Sequence, residues 1–114
     1  MGSERTFAED VLCLDTLDGV LQAQCEGLQP RIEGLGVRAR TVTVKLRYGD
    51  FTTITRSRSP SIPMCHASEF LQVARGLLRE GTEAGAREVR LLGVSLSGLT
   101  ALDAEKQLVL PLGD

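Results

Sequence analysis

Lys45 and Arg47, then Arg56 and Arg58, are two pairs of cations, each pair spaced two residues apart, in runs otherwise rich in Thr and Ser. Two-residue spacing puts both members of a pair on one face of a β-strand. Cations among hydroxyls suit phosphate recognition. The charges displace counterions from a phosphate chain, while hydroxyls and strand N–H groups donate to phosphate oxygens. Such contacts position a partner without reading its sequence. The face lacks the aromatic residues of a single-strand stacking platform, so the expected ligand is a duplex or primer-template backbone. An ordinary solvated sheet face has a similar composition, and the pattern alone leaves both readings open.

The distribution of charge sharpens this. The 114-residue chain carries a net charge of −2, with 13 Lys and Arg against 15 Asp and Glu. From Gly36 to Pro60, however, Arg38, Arg40, Lys45, Arg47, Arg56 and Arg58 face a single acid, Asp50, so this window is +5 and the remainder −7. Such asymmetry is a better guide to partners than the total. Other chemistries find little support. Cys13, Cys25 and Cys65 form neither a disulfide framework nor a CxxC metal pair. Cys25 falls in an apolar stripe and is expected to be a buried thiol, and a reducing cytoplasm fits the cysteine usage. The only histidine, His66, reads as a surface residue near a helix start. No apolar run reaches the ~20 residues of a membrane span, and no signal peptide opens the chain.

The elements that must position these residues follow from periodicity. Residues 4–8 read as a short strand. Glu9 and Asp10 then sit where a helix favours acids. Val11, Leu14, Leu17, Leu21, Cys25, Leu28, Ile32 and Leu35 trace one face of an amphipathic helix, ended by Gly34 and Gly36. Pro30 is expected to kink or interrupt that helix near residues 27–29. Residues 40–48 alternate polar and apolar as a half-buried strand does. Gly49-Asp50 reads as a two-residue type II′ turn leading into a second strand over 51–59. This turn makes Tyr48 face Phe51, Lys45 face Ile54, Thr43 face Arg56 and Thr41 face Arg58. All four strand cations then share the face that does not pack. A second helix over 66–80 and a strand over 89–99 complete the order β-α-β-β-α-β. The predicted fold is α+β: a two-layer βαββαβ domain whose four-stranded sheet has both helices on one face.

Three blocks carry a resemblance. Residues 39–48 with 50–58 (ARTVTVKLRY, DFTTITRSR) resemble the central hairpin of the little finger domain of DinB-like Y-family translesion polymerases. Residues 89–99 (VRLLGVSLSGL) resemble that domain's last strand, and Gly2 to Phe7 is similar to the G-x-E-x-T-F that opens it. The resemblance implies a non-catalytic domain lying along the major groove of template-primer DNA. It assigns phosphate contacts to Ser3 and Arg5 on the first strand, to Arg56, Ser57 and Arg58 on the third, and to Arg90 and Ser95 on the fourth. Arg90 and Ser95 differ in strand parity, so a bulge or twist is needed between them. Arg40, Thr41, Thr43, Lys45 and Arg47 join them as DNA-binding candidates.

The D-x-D-x-F-F-like and S-x-D-E carboxylate blocks of a polymerase palm are absent from this sequence. Two-metal phosphoryl transfer needs converging carboxylates. No catalytic residue, metal site or cofactor is therefore expected in this chain. Mg²⁺ is expected in a parent polymerase whose palm, fingers and thumb domains would be this domain's neighbours, and Met1 reads as a start placed inside that longer protein. Residues 1–100 are assigned to the little finger and 101–114 to a tail. In the tail, Gln107, Leu108, Leu110 and Leu112 resemble a sliding-clamp-binding motif of the Q-L-x-L-x-L kind. The competing function is a small-molecule-binding regulatory domain, which predicts a pocket in place of a flat basic face. A stand-alone enzyme would need a convergent acid–base or nucleophile set that one unpartnered histidine does not provide.

Overall fold

The structure is a computed structural model, and it describes residues 1–101. Its elements are β1 (Gly2–Val11), α1 (Leu14–Leu35), β2 (Val37–Arg38), β3 (Thr41–Tyr48), β4 (Thr53–Arg58), α2 (Ala67–Gly81), β5 (Val89–Ser97) and β6 (Thr100–Ala101). The main sheet is antiparallel in the order β1-β5-β3-β4, and β2 pairs with β6 as a separate ribbon. The expected two-layer α+β architecture is thus present, with an added ribbon that keeps Ala101 paired. The predicted tail motif Gln107, Leu108, Leu110 and Leu112 lies outside the described residues.

β3 explains why the layers form. Its residues alternate half-buried and buried without a break, with Val42, Val44, Leu46 and Tyr48 on the inner face. These pack with Val89, Leu92, Val94 and Leu96 of β5 against Leu17, Leu21, Cys25, Leu28 and Ile32 of α1 and Phe70, Ala74, Leu77 and Leu78 of α2. Two polar contacts fix the helices. The buried Gln24 amide donates to the Leu92 carbonyl at 3.0 Å, and Asp18 of α1 accepts from Arg79 of α2. Cys25 is fully buried, which pushes its thiol up to about 11. At the start of α2 the Glu69 carboxylate accepts from the backbone N–H groups of His66 (3.1 Å) and Cys65 (3.2 Å), leaving His66 exposed. No described helix is long and apolar enough to cross a membrane.

Several expectations require correction. β1 is twice as long as predicted, so Glu9 and Asp10 are strand residues, and α1 begins at Leu14 with Asp15 in its first turn. As an edge strand β1 lacks the two-sided alternation that marks β3. Pro30 does not interrupt α1. It stands on the exposed side of the helix, so the Glu26 carbonyl that loses its partner can be hydrated. Gly36, in the left-handed region at φ 63°, closes α1.

The hairpin correction has the greatest consequence. The β3–β4 loop holds three residues, Gly49, Asp50 and Phe51. The Tyr48 N–H donates to the Thr52 carbonyl at 2.9 Å, and Phe51 takes a left-handed φ of 70°. The partners are Val42 with Arg58, Thr43 with Ser57, Val44 with Arg56, Lys45 with Thr55, Leu46 with Ile54, and Arg47 with Thr53. One added loop residue shifts the register by one and exchanges the faces of β4. Arg56 and Arg58 therefore lie on the helix side of the sheet, not on the open face with Lys45 and Arg47.

Candidate nucleic-acid interface

The face that the helices leave bare is built from cross-sheet rows. One row runs Gly2, Ser95, Thr43, Ser57; the next Glu4, Gly93, Lys45, Thr55; the next Thr6, Leu91, Arg47, Thr53. Thr41 lies beside Ser97 and bonds Ser59 through its hydroxyl at 2.7 Å. Thr43 and Ser57 make the same hydroxyl contact at 2.7 Å. The open face is thus a field of hydroxyls with Lys45 and Arg47 standing in it. Lys45 meets the Glu4 carboxylate at 3.1 Å, and the Arg47 guanidinium donates to the Thr53 hydroxyl at 2.9 Å. Hydroxyls can rotate to donate to an incoming phosphate oxygen, so this surface is adaptable as well as cationic.

Arg90 joins this face through an irregularity in β5. Pairing with β3 shifts by one between Arg47, which faces Leu91, and Tyr48, which faces Val89. Arg90 is the extra residue, and the bulge that its parity with Ser95 demands is present. Its guanidinium stacks on the exposed Phe51 ring, 4.4 Å from the centroid, and lies 3.4 Å from Asp10. Arg40 precedes β3 and donates to the Thr100 hydroxyl at 3.0 Å.

The other predicted contacts line the flanks. Ser3 and Arg5 pair with Val94 and Leu92, whose side chains are in the core, so both occupy helix-side positions of the outer strand β1. Arg56 and Arg58 hold the matching positions on the opposite outer strand β4. Arg5, Arg56 and Arg58 stay exposed at the rim of the helix layer, and Ser3 is half-buried there. Glycines in α2 make room for them: a β-carbon at Gly76 would stand 3.1 Å from Arg58 Nη1, and one at Gly81 would stand 3.1 Å from Arg56 Cγ. Arg58 also meets Glu80 at 3.1 Å, and Arg56 donates to the Thr55 carbonyl at 2.8 Å. The candidates therefore divide into an open-face set and two rims. Sequence reasoning did not find the acids Glu4, Asp10 and Glu80 that partner the cations. A signal for the first was Gly93, an unexpected gap in a strand of large apolar residues.

Among the described residues one group of possible metal donors, Cys65, His66 and Glu69, lies together. It does not suit Mg²⁺, which takes oxygen ligands, and Glu69 is engaged in capping α2. The depression on the open face, lined by Gly2, Glu4, Thr43, Lys45, Gly93 and Ser95 among others, is open to solvent and does not form the enclosed pocket that a small-molecule regulatory domain needs.

Comparison with known proteins agrees with this architecture. Residues 1–110 match the impB/mucB/samB family C-terminal domain. DNA polymerase IV of Halorhodospira halophila is 45% identical over 108 residues, covering 95% of this chain and 30% of the relative. DNA polymerase IV 2 of Agrobacterium fabrum is 41% identical over 100 residues, covering 88% of this chain and 28% of the relative. The chain thus spans less than a third of the length of these relatives. A solved complex of a beta-clamp processivity factor with the little finger domain of PolIV superposes with a TM-score of 0.68 at 26% identity, covering 84% of this chain and 85% of that one. The insertion ternary complex of Dbh DNA polymerase shares the fold at a TM-score of 0.72 and 18% identity, over 88% of this chain and 28% of that one. With a family match along nearly the whole length and the sheet, helices and open face in place, the chain belongs to the impB/mucB/samB C-terminal domain family, the little fingers of DinB-type Y-family polymerases.

Proposed function

We propose that this domain grips template-primer DNA by its phosphate backbones, as part of an error-prone translesion DNA-directed DNA polymerase whose palm, fingers and thumb, with their Mg²⁺ ions, carry the chemistry. The observation that carries the reading is the open face, where Lys45 and Arg47 stand among Thr and Ser hydroxyls with no helix above them. Ser57, Ser95 and Arg90 extend it, while Ser3 and Arg5 on one rim and Arg56 and Arg58 on the other border a duplex laid along the sheet. Residues 1–100 form the gripping body in this reading, and residues 101–114 carry a peptide for a sliding clamp through Gln107, Leu108, Leu110 and Leu112. The cytoplasm is the matching compartment.

The test is a salt titration of duplex binding. Lys45→Ala with Arg47→Ala should lower the slope of log K against log salt by about 1.8, at ~0.9 per phosphate contact, for duplexes of any sequence. Arg56→Ala with Arg58→Ala should do the same if the rim reaches the backbone. An unchanged slope for that pair would confine the grip to the open face. A changed sequence preference at constant slope would remove the backbone reading altogether. For the clamp, truncation after Lys106 should abolish a binding of roughly micromolar strength, about −8 kcal/mol, in calorimetry while leaving DNA binding intact. Equal clamp affinities for the full and truncated chains would put any clamp contact on the domain body.

A further inference from the structure

The row Glu4, Gly93, Lys45 holds an acid where a DNA-gripping face should have none. Glu4 and Lys45 lie on strands that are not neighbours, since β5 runs between them. Their 3.1 Å contact exists because the intervening residue has no side chain. A β-carbon on Gly93 would stand 2.8 Å from Glu4 Cγ, so the acid's stem lies directly over the glycine and buries it. The same spot is the floor of a shallow depression of about 360 Å³, whose other lining residues include Lys45, Thr43 and Ser95. It therefore combines an ammonium with the hydroxyls of Thr43, Thr55 and Ser95, the donors a phosphate needs, around a carboxylate that already uses the ammonium. Both partners are accessible, with Glu4 51% and Lys45 37% exposed, so the contact is weak enough to exchange.

We propose that Glu4 is an internal competitor for phosphate. Its carboxylate occupies the seat over Gly93 in the free domain and must leave Lys45 when a DNA phosphate arrives. Glu4 thus limits the affinity of the open face and makes its grip easier to release. The inference rests on the DNA-gripping reading above.

Anisotropy titrations of a short labelled duplex at several salt concentrations test it, comparing the wild-type chain with Glu4→Gln, Lys45→Ala, the double variant, and Glu26→Gln. Glu26 is exposed on α1, away from the open face, and its substitution makes the same change in net charge. Glu4→Gln should tighten binding by roughly three- to tenfold at low salt, from loss of the competing pair and of carboxylate–phosphate repulsion. The salt slope should stay close to that of the wild type, because Lys45 reaches a phosphate in both complexes and only the cost of releasing it differs. Glu26→Gln should give twofold or less. In the Lys45→Ala background the effect of Glu4→Gln should shrink to what carboxylate–phosphate repulsion alone supplies, because the competing pair is gone. Glu4→Ala, which cannot keep a hydrogen bond to Lys45, should act in the same direction. Equal effects of Glu4→Gln and Glu26→Gln would overturn the proposal while leaving DNA binding standing. Weaker binding by Glu4→Gln would overturn it too and make Glu4 a group that aims Lys45 at the DNA. No duplex binding by any variant would remove the gripping function itself, and the proposal with it.

Discussion

β3 and β4 are partners in one hairpin, yet different forces hold them. β3 is central, paired on both sides, with its inner face fully buried. β4 is an edge strand whose only half-buried residue is Ile54. A one-residue slip of β3 would turn Val42, Val44 and Leu46 into water, so packing alone fixes its register. A slip of β4 exposes little. Its register is set by the loop before it, and its side chains are free to be cations. The strand that builds the core therefore has a rigid address, while the strand that carries the rim guanidiniums takes its address from three loop residues.

Truncation at matched positions measures that difference. Leu46 and Ile54 are cross-strand partners on the inner face, one fully buried and the other half-buried. Leu46→Ala should cost about 3 kcal/mol, the usual range for an enclosed leucine. Ile54→Ala should cost about 1 kcal/mol, because much of its surface stays wet in the folded state. Urea unfolding curves give both values. Equal losses would mean that β4 is held by packing after all and that the contrast between the strands is false.

This contrast also governs what the sequence could reveal. The alternation of residues 41–48 announced β3, and the apolar stripes announced both helices, because burial on one side leaves a periodic trace. β4 left none: Thr53 to Arg58 is mostly polar on both faces. Its placement depended on the turn, and Gly49-Asp50 looked like a complete two-residue loop. Phe51 gave no warning, since a β-carbon in the left-handed region is costly and aromatic residues rarely occupy it. That error put Arg56 and Arg58 on the wrong face. The Glu4–Lys45 contact was invisible for another reason. It needs the strand order β1-β5-β3, which periodicity does not encode, and a glycine at the crossing point. The family blocks were legible because they are local strings, but a string does not say which face its residues take.

Phe51 offers a sharper probe of the loop. Its left-handed φ costs roughly 1 kcal/mol relative to glycine, and its ring returns about 0.5–1 kcal/mol through Arg90. Phe51→Gly alone should then change stability by under about 1 kcal/mol, in the stabilising direction. In an Arg90→Ala background the stacking is already gone, and the same substitution should stabilise by about 1 kcal/mol. Thermal unfolding of the four chains separates the two terms. Identical effects in both backgrounds would show that Arg90 and Phe51 are uncoupled, leaving the strained turn without the contact that compensates it.

The smallest expected effect concerns Asp50, the loop's own clasp. Its carboxylate accepts from the Thr52 backbone N–H at 3.0 Å and lies 2.8 Å from an Arg87 guanidinium nitrogen. The hydrogen bonding from Thr52, with a smaller attraction from Arg87, holds its acidity below the usual carboxylate value of 3.8. A group whose folded pKa is depressed contributes stability above its unfolded pKa and loses it as pH falls through the folded one. The loop should therefore be fully clasped at neutral pH and begin to loosen only below about 3.8. Asp50 is exposed, so global stability will barely register the change. The Thr52 amide will: its NMR shift should titrate with a midpoint below 3.8, and its exchange protection should fall over the same range. In Asp50→Asn the titration should vanish, while part of the protection survives through the amide oxygen. A Thr52 midpoint at or above the ordinary carboxylate value would show that Asp50 does not clasp the loop. The register of β4, and with it the helix-side position of Arg56 and Arg58, would then need another determinant.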